Sequence, residues 1–511
     1  MLTKRIKRFL YLLHRWTGVG FAILFLLWFA SGIIMMYVEF PELTPPERYA
    51  HLPDLNLAAV AVTPDEALAN LPPEAANVTA LELATVLGRP AYLVTTAFGQ
   101  RYSLFADDGT LVRHINPEAA GEAASAFVGG AAVRGVRQID LDQWSVSGNL
   151  NPYRPLYKVA LADRAGSILY VSEHTGQVVR DTTRWERGWN WLGAVVHWIY
   201  PAVLRQHPGL WSDVVIYVSL GGCLAALTGV VVGYWRLRVR RRYKSGSTSP
   251  FSGWQYWHHI GGMVCAVFVC TFIFSGLMSM NPWGVFDNDG EGPAVQRARF
   301  TGGTLDLVRF TPEVSAVAHA LPAGFQPRVV EWLQQTDLAY LLFIDGTGRR
   351  IPVAAAPGET PTVVKDMAER VAALAPRLLP GAHIVESRML TGFDNYYYSH
   401  HQRYRPLPVL RVRFDDAADT WYHLDPVSGE VRSRLTHTDR VERWLYNGLH
   451  SLDLHVLMGN RPLWDIVVIL LSVLGTAFSL TGIVIAWRRI KHKAKHKPAP
   501  APLPLDAVSE R

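Results

Sequence analysis

The stretch HRWTGVGFAILFLLWFASGIIMMYV, residues 14–38, decides how this chain is read, because residues 258–280, HHIGGMVCAVFVCTFIFSGLMSM, repeat its pattern 244 positions later. His14 falls on His258, Gly18 on Gly262, Ser31-Gly32 on Ser275-Gly276 and Met36 on Met280. A second register, with an offset of 253, runs without a gap from Pro155 to Arg236. It places Pro155 on Pro408, Gly176 on Gly429, Trp191 on Trp444, His197 on His450, Trp211 on Trp464 and Thr228-Gly229 on Thr481-Gly482. Two halves that share one histidine pattern point to something bound symmetrically between them, and haem is the best candidate.

Outward from these registers, the apolar residues gather in four runs: Phe9–Val38, Leu210–Trp235, Gly253–Met280 and Leu463–Trp487. Each exceeds the ~20 residues that cross a hydrocarbon core as a helix, and Trp and Tyr collect near their ends as in aromatic belts. A length of 511 residues is too great for one domain. The 49% hydrophobic content and a mean hydropathy of +0.09 are high for a soluble protein. The expected product is an integral membrane protein.

Positive charge gives the orientation. Lys4, Arg5, Lys7 and Arg8 precede the first run. Arg236, Arg238, Arg240, Arg241, Arg242 and Lys244 follow the second, and Arg488, Arg489, Lys491, Lys493, Lys495 and Lys497 follow the fourth. Such clusters stay on the cytoplasmic side. The predicted organisation is a cytoplasmic N-terminus with the first span (1–38), an outer region (39–205), a second span (206–236) and a basic cytoplasmic loop (237–252). A third span (253–280), a second outer region (281–462), a fourth span (463–488) and a disordered basic cytoplasmic tail (489–511) complete it. A cleaved signal peptide fits the N-terminus less well, since the run is too long and no small-x-small site follows Tyr37. The net charge of +7 lies largely in these clusters, so it reports topology and not nucleic-acid binding.

Cys223, Cys265 and Cys270 all lie within the spans. They cannot staple the outer regions, and no C-x-x-C-H motif exists for covalent haem attachment. Packing explains them. No G-x-G-x-x-G motif or Walker loop is present, so no familiar nicotinamide or flavin domain is built in. The outer regions read as α+β modules, each with two helix-plus-hairpin units. Thr63-Pro64-Asp65-Glu66 is a capping box, and Thr311-Pro312-Glu313 makes a similar start. Hairpins are predicted for 101–105 with 111–115, 339–344 with 349–353, 156–161 with 167–171 and 409–414 with 420–424. The sequence names no catalytic side chain in these modules.

The histidines carry the chemistry. An ionisable group in or near a span is costly and usually has a purpose, although a single interfacial histidine is more often a belt residue. Pairing changes this balance, because bis-imidazole ligation of haem iron takes one histidine from each of two facing helices. The core is about 30 Å thick. His14, near the inner face, must therefore pair with His258, and His197, near the outer face, with His450. Gly18 and Gly262, one turn after the inner histidines, would leave room for a flat macrocycle or for close helix packing. The rivals are weaker: His259 points about 100° away from His258 on a helix, and His207 and His455 have no histidine at the repeat position. Asp213 and Asp465 are expected to cap or anchor their spans.

The strings His14-Arg15-Trp16-Thr17-Gly18, Trp257-His258-His259-Ile260-Gly261-Gly262 and Leu449-His450, with the exits Thr228-Gly229 and Thr481-Gly482 before basic residues, resemble the PepSY-associated transmembrane helix family. The stretch Asn395-Tyr396-Tyr397-Tyr398-Ser399-His400-His401, followed by Arg405-Pro406-Leu407-Pro408, is similar to members described as iron-regulated membrane proteins. The resemblance covers nearly the whole chain. It implies a bacterial inner-membrane protein with periplasmic PepSY modules, grouped with ferric-siderophore reductases that carry two b-type haems. The combined expectation is an all-α four-helix haem-binding membrane module with an internal two-fold repeat, plus periplasmic α+β PepSY-like domains. Two non-covalent haems would sit at His14/His258 and His197/His450. Electrons from an unidentified cytoplasmic or membrane donor would reach a ferric chelate or siderophore in the periplasm. An exposed patch of Tyr396, Tyr397, Tyr398, His400 and His401 is the candidate acceptor-docking surface. The alternatives are a membrane-anchored PepSY binding or regulatory protein without redox activity, and a transporter. Paired histidines weigh against the first, and unbroken spans with few buried charges against the second.

Overall fold

The computed structural model describes residues 2–75, 77–288, 290–310, 313–399 and 404–495. His400 and His401, Thr311-Pro312 and the tail beyond residue 495 lie outside the described residues. Among the described residues, four helices are long and apolar enough to cross a membrane. They belong to α1 (Leu2–Met35), α4 (Pro208–Arg236), α5 (Gly253–Met278) and α7 (Leu463–Lys495), with α2, α3 and α6 placed below. Helix α1 packs against α4 and α7, and α5 packs against the same two, which closes a four-helix bundle. Phe25, Phe29, Ala225, Cys265, Val269 and Ile273 fill its centre. The apolar residues on the outward faces stay uncovered: Val267 is 77% exposed. An apolar surface of that kind is stable when it faces lipid.

Between the spans, the described residues form fourteen strands in three antiparallel sheets. Strands β1 (Val78–Val86), β2 (Arg89–Thr96) and β3 (Arg101–Phe105) come from the first outer region, as do β4 (Val133–Ile139), β5 (Leu156–Leu161), β6 (Ile168–Ser172) and β7 (Val178–Thr182). The second supplies β8 (Pro327–Gln335), β9 (Leu338–Asp345), β10 (Arg350–Ala354), β11 (Ile384–Leu390), β12 (Val409–Phe414), β13 (Trp421–Leu424) and β14 (Val431–Leu435). Two sheets are four-stranded, β4-β5-β6-β7 and β11-β12-β13-β14, and each stays within one region. The third has the order β10-β9-β8-β1-β2-β3. Its middle pair, β1 with β8 in the register Leu83↔Val330, joins the two regions. The regions at 39–205 and 281–462 are therefore not separate bodies, because three strands from each share one core containing Leu83, Tyr92, Val330 and Phe343.

Three of the four expected hairpins form, and β3 instead takes β2 as its partner. Residues 111–115 make only the single bridge Leu104↔Leu111. The reason is local: Asn116 caps a helix at Pro117–Phe127 by accepting the Ala119 N–H at 2.8 Å, and Val112 and Ile115 turn into the core beneath that helix. Thr63 and Glu66 form the expected capping box with Pro64 in the first turn.

Each membrane-proximal sheet returns to the bundle through short helices. After β7, Thr183 and Glu186 form a capping box that starts α2 (Arg184–Leu192), and after β14 Thr436 and Asp439 do the same for α6 (His437–Arg443). The routes then differ. Helix α2 stops at Gly193, which opens the short α3 (Ala194–His197). Helix α6 runs straight into a π-helix, Trp444–Ser451. The wider turn of a π-helix is rare and tends to occur at functional sites.

Candidate functional site

His14 and His258 stand on α1 and α5 with ring centroids 6.4 Å apart and planes 26° apart. His197, last residue of α3, and His450, on the π-helix, have centroids 5.8 Å apart at 71°. These are the two pairings expected from position. Two metal–imidazole bonds of about 2 Å each put the ring centroids of an axial pair roughly 6 Å apart, so both separations suit one iron between two rings. The outer pair stands on short segments that return to the bundle and not on the spans themselves. Seventeen residues separate His14 from Ser31, beside His197, and His258 from Ser275, beside His450. At ~1.5 Å per residue the two levels are about 25 Å apart.

The hydrogen bonds of the four rings decide their chemistry. His14 Nδ1 lies 3.2 Å from the Ala225 carbonyl, which can only accept. His450 Nδ1 lies 3.1 Å from the Phe272 carbonyl and 3.1 Å from Ser275 Oγ. His197 Nδ1 is 3.0 Å from Ser31 Oγ, and His258 Nδ1 is 3.0 Å from Thr481 Oγ1. Ser31 donates its own proton to the Trp28 carbonyl at 3.2 Å, and Thr481 donates to the Phe478 carbonyl at 2.6 Å. With those protons committed, each hydroxyl oxygen accepts from the ring. All four imidazoles thus carry hydrogen on Nδ1 and a lone pair on Nε2, and no Nε2 bond is formed within the described residues. This is the tautomer that ligates a metal through Nε2, oriented by a partner at the other nitrogen.

Glycines form the other half of each cradle. A Cβ added at Gly229 would come within 2.8 Å of His14 Cε1. The corresponding distances are 3.5 Å from Gly482 to His258, 3.6 Å from Gly32 to His197 and 3.4 Å from Gly276 to His450. The Ser/Thr-Gly dipeptides, which the sequence offers as repeat markers and exit motifs, therefore back the histidines. At Thr228-Gly229 it is the glycine that faces the ring, while Thr228 donates to the Leu224 and Ala225 carbonyls. Their recurrence at the same spacing from histidine in both halves is the signal in the sequence, but nothing local says which dipeptide faces which ring.

Beside the inner pair lies a cavity of about 320 Å³, lined by His14, His258, Gly18, Gly262, Gly229 and Gly482 among others. That is within the ~300–1,000 Å³ range of small-molecule sites. A side chain at Gly18 would meet nothing within 4 Å, so this glycine faces open space, whereas one at Gly262 would come within 3.0 Å of Phe478. Among the described residues no three His, Cys, Asp or Glu side chains are grouped to hold a metal ion. A bare ion would find two imidazoles and little else at each pair, whereas the ring spacing of both pairs would suit a group that brings its remaining donors with it, as haem does.

The rival histidines have other roles. His259 is buried with both ring nitrogens occupied, Nδ1 with Ser249 Oγ and Nε2 with the Gly233 carbonyl, each at 2.8 Å. His207 precedes α4 and His455 lies on a short helix, and both are exposed. Asp465 anchors the start of its span by pairing with Arg461 and accepting from the Tyr37 hydroxyl. Cys223, Cys265 and Cys270 are free thiols within the bundle.

The expected exposed patch is corrected at its three tyrosines. Tyr397 is 0% exposed; its ring packs 4.8 Å from His423 and its hydroxyl donates to the Pro406 carbonyl. Tyr396 and Tyr398 are half-buried, tied to Trp444 and Asp453. The cause is Asp394, which accepts the Tyr396 and Tyr397 N–H groups and is itself gripped by Arg411, so the loop folds inward.

No curated protein matches the chain. The sequence model described as the PepSY-associated TM region matches residues 11–334, which includes His14, His197 and His258 and ends before His450. That match covers more than half of the 511 residues, and with four candidate membrane helices and β-sheets between them in the chain, this is a membrane protein of the PepSY-associated TM region family.

Proposed function

We propose that this protein carries electrons through the membrane by two b-type haems, held by His14 and His258 and by His197 and His450, and delivers them to a ferric chelate in the periplasm. The observation that carries the reading is the state of the four rings: each has Nδ1–H bonded away and Nε2 free, in two pairs spaced for one iron. Haem at each pair supplies a one-electron carrier. The chain's own residues hold the ligand tautomer through Ser31, Ser275, Thr481 and the Ala225 carbonyl, and keep water from the bundle centre with Phe25, Phe29 and Val269. Two levels about 25 Å apart divide the crossing into two shorter steps.

The repeat registers support a two-fold arrangement in which each half gives one ligand and one Ser/Thr-Gly cradle to each level. The basic clusters support placing the inner pair towards the cytoplasm and the sheets in the periplasm. The acceptor class rests on the resemblance to ferric-siderophore reductases. One electron per iron converts iron(III) to iron(II), and the hard oxygen donors that suit iron(III) hold iron(II) less well. The electron donor is a partner on the cytoplasmic side or in the membrane.

The test begins with the detergent-purified protein. Pyridine haemochrome should approach two haems per chain. Anaerobic reduction followed by a panel of ferric chelates should reoxidise the haems while an iron(II) chelator traps the product. In right-side-out vesicles, reduction should occur on the outer face with reducing power supplied from within. A colourless, fully folded protein would refute the redox reading and leave the PepSY-bearing anchor.

A further inference from the structure

The inner cavity has a cationic rim that the histidines do not explain. Arg15, Arg236 and Arg489 line it, and no Asp or Glu does. Arg236 and Arg489 are related by the same 253-residue offset as His197 and His450, so each half supplies one. Each follows by seven residues the glycine that backs an inner histidine, Gly229 or Gly482. Seven residues are close to two helical turns, about 10 Å along the same face, which puts both guanidinium groups at the basic end of the cavity. Arg236 gives its Nε–H to the Tyr11 hydroxyl at 2.9 Å, and its remaining N–H groups have no protein partner among the described residues. The side chains of Arg15 and Arg489 likewise make no hydrogen bond or ion pair among the described residues. The opposite end is apolar, with Phe21, Phe25 and Val269.

We propose that Arg236 and Arg489, supported by Arg15, clamp the two carboxylates on one edge of the haem held between His14 and His258, and so orient that edge towards the cytoplasm. The inference rests on the haem reading and deepens it. A flat apolar body with two carboxylates on one side matches apolar walls with a paired cationic rim. Arginine is suited to this task because its planar fork bonds a carboxylate bidentately. The same guanidinium groups could instead meet the phosphates of anionic lipids, and the two sources give different results.

The experiment uses the full-length haem-loaded protein in detergent, with and without added anionic lipid. The rate at which haem passes to excess apomyoglobin is followed in the Soret band for wild type, Arg236→Gln, Arg489→Gln, the double Gln variant and the double Lys variant. Charge-assisted bonds of about 1.5 kcal/mol or more correspond to roughly ten-fold faster inner-haem loss for each Gln substitution. The double Lys variant should recover most of the retention. The outer haem, 25 Å away by the ~1.5 Å rise, serves as an internal fold control and should leave at the wild-type rate. A double Gln variant that loses its inner haem at the wild-type rate in the absence of lipid overturns the clamp alone, and a difference from wild type that appears only with added anionic lipid assigns the arginines to lipid phosphates. A wild type without haem overturns the clamp together with the reading beneath it.

Discussion

His14 and His258 stand on spanning helices that apolar composition would build without them, whereas His197 and His450 stand on short segments that must be steered back into the bundle. The steering is different in the two halves. Gly193 breaks α2 so that α3 can turn inward, and a side chain there would come within 3.0 Å of Ile34. In the second half the π-helix at Trp444–Ser451 makes the same approach without a break. Extra bonds fix the result: Trp28 donates its indole N–H to the His197 carbonyl at 3.0 Å, and the Phe272 carbonyl takes both Ser275 and His450. A ligand on a long helix inherits its position from a self-satisfied backbone, whereas a ligand on a short one needs neighbours to supply it.

The largest expected effect breaks the comparison at its root. His14→Ala or His258→Ala should remove the inner haem and leave the outer one, and His197→Ala or His450→Ala should do the reverse, each taking haem content from two to one by pyridine haemochrome. Loss of both haems from any single variant would mean that the levels are not independent. Next come the glycine cradles. Gly229→Ala forces a Cβ to 2.8 Å from His14, while the other three cradles would meet ordinary contacts of 3.4–3.6 Å. Overpacking costs about 1–3 kcal/mol, so Gly229→Ala alone should weaken retention of the inner haem, read as faster haem loss.

A smaller effect separates the two outer ligands. Ser31→Ala removes the one acceptor that His197 Nδ1 has, but after Ser275→Ala the Phe272 carbonyl still holds His450. Loss of such an outer partner costs about 10–100-fold in metal affinity, so Ser31→Ala should loosen the outer haem clearly and Ser275→Ala slightly. Equal effects would show that the tautomer is fixed elsewhere. The smallest expected change is at His259. His259→Ala should leave both haem spectra intact and lower only thermal stability, through its lost bonds to Ser249 and Gly233. Haem loss from that variant in place of His258→Ala would refute the register at the third span.

Much of this was legible along the chain. The four spans, the capping box at Thr63 and the hairpins at 156–171, 339–353 and 409–424 follow from composition and short-range pattern, because a helix or hairpin is specified by neighbours within a few residues. The pairing of histidines was legible too, since membrane thickness leaves one partner for each. The burial of Tyr397 was not, because Asp394 and Arg411 meet only after the sheet has formed.

The sequence by itself determined that the chain crosses a membrane, that its halves share a pattern and that its histidines come in two levels. Hydrophobic run length, charge clusters and offsets are one-dimensional quantities, so one dimension suffices to read them. Tertiary structure alone decided that β1 and β8 fuse the two outer regions into one sheet, that each ring meets a particular Ser/Thr-Gly cradle, and that Gly193 and a π-helix reach equivalent ends. Those are contacts between residues far apart in the chain, and no local propensity encodes which distant carbonyl or hydroxyl an imidazole will find.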